Sequence, residues 1–178
     1  ITFYPQLNYY GTETVTITVD DGSDSDNIDF QDVSVIIKPV NDAPTVEDVK
    51  MKIDEETPSF VILQGDDADE DALEYTIINN VSNGELSQDG IVIKDFPAII
   101  TGFSLTYSPD DDFNGTDSFS YRASDGFLKS ENGTVTLIVV PGNDSPVTDD
   151  FSVITDEETP ILISLLAYTE DVDNDPSE

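Results

Sequence analysis

The feature that most constrains this chain is an internal repeat about 100 residues long. Asn41-Asp42-Ala43-Pro44 returns as Asn143-Asp144-Ser145-Pro146, 102 residues later (143 − 41 = 102). Asp54-Glu55-Glu56-Thr57-Pro58 returns unchanged at the same offset. The acidic segment from Asp67 to Asp71 returns as Asp171 to Asp175 at an offset of 104 (171 − 67 = 104). A period of this length is that of a whole domain rather than of a solenoid unit of about 20–50 residues.

The register of the repeat divides the sequence into three parts. One complete repeat covers residues 43–142. Residues 1–42 correspond to the C-terminal part of a preceding repeat, and residues 143–178 correspond to the N-terminal part of a following one. The two flanking parts lack the equivalent of residues 75–104, so together they do not make a further domain. We therefore expect one whole domain with truncated neighbours, taken from a longer tandem array.

The hydrophobic pattern within the repeat has a period of two. Apolar and polar residues alternate in short segments bounded by Gly, Pro, Asn and Asp. The apolar positions include Leu73, Tyr75, Ile77, Phe103, Leu105, Tyr107, Phe119, Tyr121, Ala123, Val135, Leu137 and Val139. Such segments are typical of half-buried antiparallel strands. About seven strands in about 100 residues predict an all-β fold, an immunoglobulin-like Greek-key β-sandwich, with a closed barrel as the weaker alternative.

The composition excludes several classes of function. Asp and Glu number 39 against 6 Lys and Arg, which gives a formal net charge of −33, and the sequence has neither Cys nor His. Nucleic acid is excluded as a partner because phosphate binding needs clustered Lys or Arg. Disulfides, thiol nucleophiles, histidine general bases and ordinary zinc or copper sites are excluded too. No apolar run is long enough to insert into a membrane.

The acids cluster in loops at the predicted strand ends. The clusters are Asp66 to Asp71, Asp110 to Asp112, Asp125, and the linker pairs Asn41-Asp42 and Asn143-Asp144. Carboxylates this close repel one another unless a cation lies among them. Ca²⁺ accepts about 6–8 oxygens in loose geometry and suits such loops. The alternative is a solvated acidic surface, as in a salt-adapted protein.

The segment from Asp110 to Gly115 copies the first half of an EF-hand calcium loop. Tyr121 stands where the bidentate Glu of an EF-hand is required, and the surrounding pattern predicts strands rather than helices. An EF-hand is therefore excluded. In the first repeat the same loop runs from Gln6 to Gly11 and has no acidic residue.

These motifs resemble the cadherin-like tandem repeats of large prokaryotic surface adhesins. The resemblance rests on Tyr107-Ser-Pro-Asp-x-x-Phe113-Asn-Gly-Thr116, Phe119-x-Tyr121, Ser124-Asp-Gly126 and Asn143-Asp-Ser-Pro146. It implies cadherin-like Greek-key sandwiches in tandem. It also implies calcium bound where the base of one domain meets the linker and the top of the next.

Carried over residue by residue, the resemblance implies two calcium-binding junctions. The implied ligands of the first junction are Asn41, Asp42, Asp67, Asp69 and Asp125, with Asp71 of the same loop as a further candidate. Those of the second junction are Glu56, Asp111, Asp112, Asn143, Asp144, Asp171 and Asp173. The choice between Glu55 and Glu56 stays open, because alternation along a strand would aim them to opposite sides. Since the loop from Gln6 to Gly11 lacks acids, we expect the first junction to bind fewer ions or to bind weakly.

We therefore predict a calcium-rigidified, non-enzymatic extracellular domain of a cell-surface adhesin or filament, secreted or at the cell surface. It would act in adhesion or as a rod-like spacer. The expected partners are neighbouring repeats of the same chain, and further candidates are other copies in a filament or another cell surface. The alternative is a surface-layer or fibre subunit whose acidic loops serve solubility and salt tolerance. An enzyme built on paired carboxylates is disfavoured, because among 39 acids some pair lies at any given separation.

Overall fold

The computed structural model describes residues 2–22, 28–165, 169–171 and 173, so Asn174 and Asp175 of the repeated acidic motif lie outside the described residues. The described chain contains fifteen β-strands and no α-helix, and hence no helix that could cross a membrane. The strands are β1 (Gly11–Asp20), β2 (Ile28–Ile37), β3 (Thr45–Val46), β4 (Val49–Asp54), β5 (Ser59–Ile62), β6 (Gly65–Asp66), β7 (Glu74–Ile77), β8 (Gly84–Gln88), β9 (Ile91–Val92), β10 (Ala98–Ile100), β11 (Ser104–Pro109), β12 (Gly115–Ser124), β13 (Gly133–Val140), β14 (Val147–Thr148) and β15 (Thr169–Glu170).

Strands β4, β5 and β7 to β13 form two main sheets. A five-stranded sheet has the order β10-β7-β12-β13-β4, and a four-stranded sheet has the order β5-β11-β8-β9. Neighbouring strands are antiparallel except β13 and β4, which run parallel with Val135 opposite Val49 and Val140 opposite Asp54. Both sheets have open edges, so the closed barrel is wrong. The predicted immunoglobulin-like all-β architecture is confirmed.

The core of the sandwich follows from the period-two pattern of its strands. Strand β13 buries Val135, Leu137 and Val139, and the residues between them reach the surface. Strands β12, β7 and β11 alternate in the same way, and the buried residues of the hydrophobic core run from Ile53 to Val139. Phe103 is an exception to the predicted pattern: it precedes β11 and stays 58% exposed. The core of the described chain therefore lies within residues 43–142.

The flanking segments reproduce local features of the complete repeat. Strands β14 and β15 pair with Val147 opposite Glu170, as β3 and β6 pair with Thr45 opposite Asp66. The hairpin of β1 and β2 corresponds in sequence to β12 and β13. Asn8 and Asp112, which the repeat aligns, share a left-handed φ of 56°. The recurrence of geometry matches the sequence repeat, and the division into domains at residues 42 and 142 stays a prediction.

Candidate metal centre

The parallel pairing of β4 and β13 creates the second junction, which is the end of the sandwich where both strands terminate. Because the two strands run in the same direction, the residues that follow them emerge side by side. Glu55 N donates to Val140 O at 3.1 Å, and Gly142 N donates to Glu55 Oε1. The acidic pair after β4 is thereby held against the linker that begins at Asn143.

Strand alternation does not govern the directions of Glu55 and Glu56. Strand β4 ends at Asp54, and both glutamates lie in the turn that follows. Glu56 has a left-handed φ of 55°, and Glu55 is buried, with 7% of its surface exposed. The expectation that strand alternation aims Glu55 and Glu56 to opposite sides is therefore wrong. Both carboxylates reach the second junction.

The loop that carries Asp112 is fixed by a buried carboxylate. Asp117, which is 4% exposed, accepts hydrogen bonds from the N–H groups of Ser82 (3.0 Å) and Asn83 (2.7 Å). Asn83 O in turn accepts a hydrogen bond from Asp110 N at 3.2 Å. Asp112, in the left-handed region, then closes the turn before β12. Sequence reasoning missed this role of Asp117, since a single acid within a strand carries no signal that separates it from the other acids.

The linker contacts the acidic segment that follows it. Asp144 N donates to the carboxylate of Asp173, and Asp173 N donates to Asp171 Oδ1 at 3.0 Å. The side-chain amide of Asn143 donates to Asp144 O at 2.9 Å. These bonds orient the carboxylate of Asp144 between the turn after β4 and the acidic segment.

Two groups of carboxylates converge at the second junction, and Asp144 belongs to both. One consists of Glu55, Asp144 and Asp173, and the other of Glu56, Asp112 and Asp144; within each, the ligand oxygens lie within 4.8 Å of one another. Oxygens that bind a common Ca²⁺ at about 2.3–2.6 Å are separated by no more than about 5 Å. The spacing within each group therefore suits one such ion.

The electrostatics of the second junction favour a bound cation. Asp144 Oδ2 is buried and has no hydrogen-bond partner among the described residues. The pKa of Glu56 is raised, chiefly by the charge of Asp144 and then by partial desolvation and the charges of Asp112 and Asp111. The pKa of Asp144 is also raised, first by desolvation and then by Asp173 and Asp112. Mutually repelling carboxylates with an orphaned buried oxygen form a donor set that fits a hard divalent cation.

The first junction, where residues 41–42 meet the segments at Asp67–Asp71 and Asp125, is held by hydrogen bonds. Asn41 Nδ2 donates to Asp125 Oδ2 at 2.8 Å, and Asp42 N donates to Asp69 Oδ2 at 2.8 Å. The pKa of Asp125 is lowered, mainly by the hydrogen bond from Asn41 and also by backbone N–H donors such as that of Leu128. The Asp125 carboxylate is thus stabilised in its ionised form without a cation.

Asp67 is the buried acid of the first junction. It is 8% exposed, and its Oδ1 accepts hydrogen bonds from Asp69 N (2.9 Å) and Asp71 N (3.4 Å). Its Oδ2 is buried and lacks a partner among the described residues. Even so, the groups of three close carboxylates in the described chain both lie at the second junction.

The structure thus brings together part of the implied ligand set. Glu56, Asp112, Asp144 and Asp173 converge, and Glu55 joins them. Asp111 acts on Glu56 through its charge but belongs to neither group. The implied ligands that make hydrogen bonds instead are Asn41, Asp42, Asp67, Asp69, Asp71, Asp125, Asn143 and Asp171. Calcium ligation by any of them stays a prediction.

Comparison with known proteins supports the fold. A family model described as bacterial Ig domain matches residues 41–138, which is more than half of the chain. No curated protein matches the chain significantly. Among solved structures, similar ones are the endo-fucoidan hydrolases MfFcnA4 (16% identity, TM-score 0.43) and MfFcnA9 (17%, 0.38) of glycoside hydrolase family 107. Titin domains Z1Z2 in complex with telethonin are also similar (12%, 0.32).

The alignments cover only part of each of these solved structures. This chain aligns over 81% and 76% of its own length but over only 22% and 23% of the two hydrolases. For the titin domains the shares are 74% of this chain and 62% of theirs. The hydrolase likeness is too distant to carry an argument about activity. The family match rests instead on the sandwich and the linker that precedes it, and on that basis the chain belongs to the bacterial Ig domain family.

Proposed function

We propose that this chain is a calcium-stiffened segment of an extracellular adhesin or surface filament and serves as a rod-like spacer without catalytic activity. The observation that carries the proposal is the convergence of two carboxylate groups on Asp144, in the linker. The residues come from the turn after β4, the loop before β12, the linker and the acidic segment beyond it. A cation held by this set would therefore connect the sandwich to the chain that follows. Membership of the bacterial Ig domain family, whose domains commonly occur in surface proteins, agrees with this role.

The mechanism rests on the charges of the chain's own residues. In the absence of a cation, Glu56, Asp112 and Asp144 repel one another, and hydrogen bonds from Gly142 N to Glu55 and from Asp144 N to Asp173 hold the linker. Bound Ca²⁺ supplies positive charge that offsets this repulsion. Asp144, shared by both groups, then connects the turn after β4 with the acidic segment at Asp173. Binding to the folded state also raises the free energy of unfolding by mass action.

Calorimetry with calcium and with EGTA tests the proposal. We expect a higher unfolding midpoint in calcium and a heat of binding in isothermal titration. Once calcium is bound, the hydrodynamic radius should change less with salt concentration than it does in EGTA. Magnesium is the matched control, because it demands tighter octahedral geometry and dehydrates reluctantly. Identical unfolding profiles in calcium and EGTA, with no calcium uptake, would contradict the proposal.

The surface-layer or fibre alternative also has an observation in its favour. The two convergent groups found among the described residues contain five acids, whereas the chain has 39. If the acids serve solubility and salt tolerance alone, NaCl at high concentration will replace calcium fully in the calorimetric experiment. A calcium effect that persists in high NaCl supports ligation, since salt screens diffuse repulsion but does not supply a coordinating ion.

A further inference from the structure

Strand β5 (Ser59–Ile62) has one side without a strand partner among the described residues. In the four-stranded sheet β5 pairs with β11 alone. The side is open because the preceding chain changes sheets: β3 pairs with β6, whereas β4 crosses over and pairs with β13. The position that an outer strand could take beside β5 is therefore left free.

The main-chain polar groups of Phe60 and Ile62 point to this open side. Leu63 N donates to Phe103 O at 2.8 Å, so these two residues form a hydrogen-bonded pair of the antiparallel ladder. Such pairs alternate with non-bonded ones. Val61 therefore bonds to β11, and the N–H and C=O groups of Phe60 and Ile62 face outward. A second strand could accept and donate hydrogen bonds at both residues.

The side chains beside this open edge are apolar and exposed. Phe60 is 77% exposed and Ile62 is 53% exposed, whereas Val61 between them is fully buried. Residues 57–65 contain no charged side chain, and β11 contains none either. In a chain with a net charge of −33, this is a surface where another strand can approach without meeting carboxylates.

One edge of the other sheet is protected in a way that β5 is not. Strand β4, one of the two edge strands of the five-stranded sheet, carries Lys50 and Lys52, and both are exposed. Lysines on an edge strand oppose pairing with another chain. Although the chain has only 6 Lys and Arg, two of them lie on β4 and none lies on β5. An apolar edge without such protection is open to pairing with another strand.

We propose that β5 pairs antiparallel with β5 of a second copy of this chain, about a two-fold axis at Val61. In this register Phe60 of each copy lies opposite Ile62 of the other, so the outward main-chain groups form four hydrogen bonds. Aromatic and β-branched side chains also meet across the strands. The contact is self-complementary, as a two-fold interface requires. Glu56 of one copy comes near Asp66 of the other at each end, so salt strengthens the pairing by screening these like charges.

Sedimentation velocity over a concentration series, in low and high NaCl, tests this pairing. We expect a monomer–dimer equilibrium that shifts toward dimer as NaCl rises. In hydrogen exchange, the amides of Phe60 and Ile62 should become protected at high protein concentration. The variant Phe60→Lys should weaken dimerisation by about tenfold or more, since two cross-strand contacts are lost and two charges are introduced.

The matched control is Ile99→Lys, which adds the same charge at a residue 66% exposed on β10, the other edge of the five-stranded sheet. It should leave dimerisation unchanged, and calorimetry on both variants verifies that they fold. A monomer under all conditions would overturn the proposal. So would an association that survives Phe60→Lys, which would assign it to the exposed apolar residues of the flanking segments. Calcium titration reports separately on the proposed function, because β5 contains none of the convergent acids.

Discussion

The two junctions share a backbone arrangement but differ in their acids. At the first junction Asp42 N donates to Asp69 Oδ2 and Asp69 N to Asp67 Oδ1. At the second, Asp144 N donates to Asp173 and Asp173 N to Asp171 Oδ1. In both, the amide of the linker Asn donates to the carbonyl of the Asp that follows it. Within the part of the chain that the structure describes, the convergent carboxylate groups lie at the second junction alone.

The difference lies in what the preceding segment contributes. At the second junction, Asp112 and the pair Glu55-Glu56 approach the linker from the sandwich. At the first junction the position of Asp112 is taken by Asn8, which has the same φ but no charge, and no glutamate of the described residues joins it in a convergent group. The linker turn is thus formed by backbone and Asx hydrogen bonds. We therefore expect a metal site to need acids from the preceding segment as well.

The largest effect should come from Asp144→Asn, because Asp144 serves both carboxylate groups. We expect calcium affinity at the second junction to fall by about 100-fold, since affinity depends on the number of charged ligands. Isothermal titration calorimetry measures the change. The matched variant at the first junction is Asp42→Asn, which should change calcium affinity little. Equal losses in the two variants would contradict the contrast between the junctions.

A smaller effect is expected when the second junction is made to resemble the first. Asp112→Asn gives the second junction an asparagine, the residue that the first junction has at the aligned position, Asn8. The change removes a ligand from one group only. We expect calcium affinity to fall by about tenfold, with the group of Glu55, Asp144 and Asp173 retained. Titration calorimetry should show that one class of calcium-binding site is lost. The reciprocal change Asn8→Asp is the control, and it should add little because no glutamate of the described residues converges at the first junction.

In calcium-free protein, the contributions of the two junctions to the stability of the fold should change in opposite directions as the pH falls. The pKa values of Glu56 and Asp144 are raised in the folded state, so lowering the pH through those raised values stabilises the fold. The pKa of Asp125 is lowered, so its stabilising contribution is present above the unfolded pKa and is lost as the pH falls through the folded value. Thermal midpoints against pH in EGTA test this. Glu56→Gln should remove the gain in acid, and Asp125→Asn should remove the loss.

The sequence predicts the fold well because the relevant signal is local. The alternation in β12 and β13 fixes which residues are buried, and the repeat identifies the acidic loops. The sequence does not predict that β4 runs parallel to β13, since strand pairing depends on long-range packing. That pairing brings Glu55 beside Gly142 and makes it a candidate ligand. The left-handed backbone at Glu56 is likewise absent from any pattern of polar and apolar residues.

The smallest effect should follow from Asn41→Ala at the first junction. The change removes the donor at 2.8 Å from Asp125 Oδ2, so the pKa of Asp125 should rise toward its ordinary value. Because the contact is exposed, we expect the unfolding midpoint to fall by only about 1–2 °C, equally in calcium and in EGTA. Asn143→Ala is the matched control, since its amide makes the same bond to the following carbonyl.

The difference between these two variants isolates the contact between Asn41 and Asp125. Carbon-13 NMR titration of the Asp125 carboxyl gives the second readout. An unchanged Asp125 pKa in Asn41→Ala, together with equal shifts of the midpoint in both variants, would show that the hydrogen bond contributes nothing. A midpoint shift that depends on calcium would instead assign Asn41 a part in ion binding, and the first junction would then function like the second.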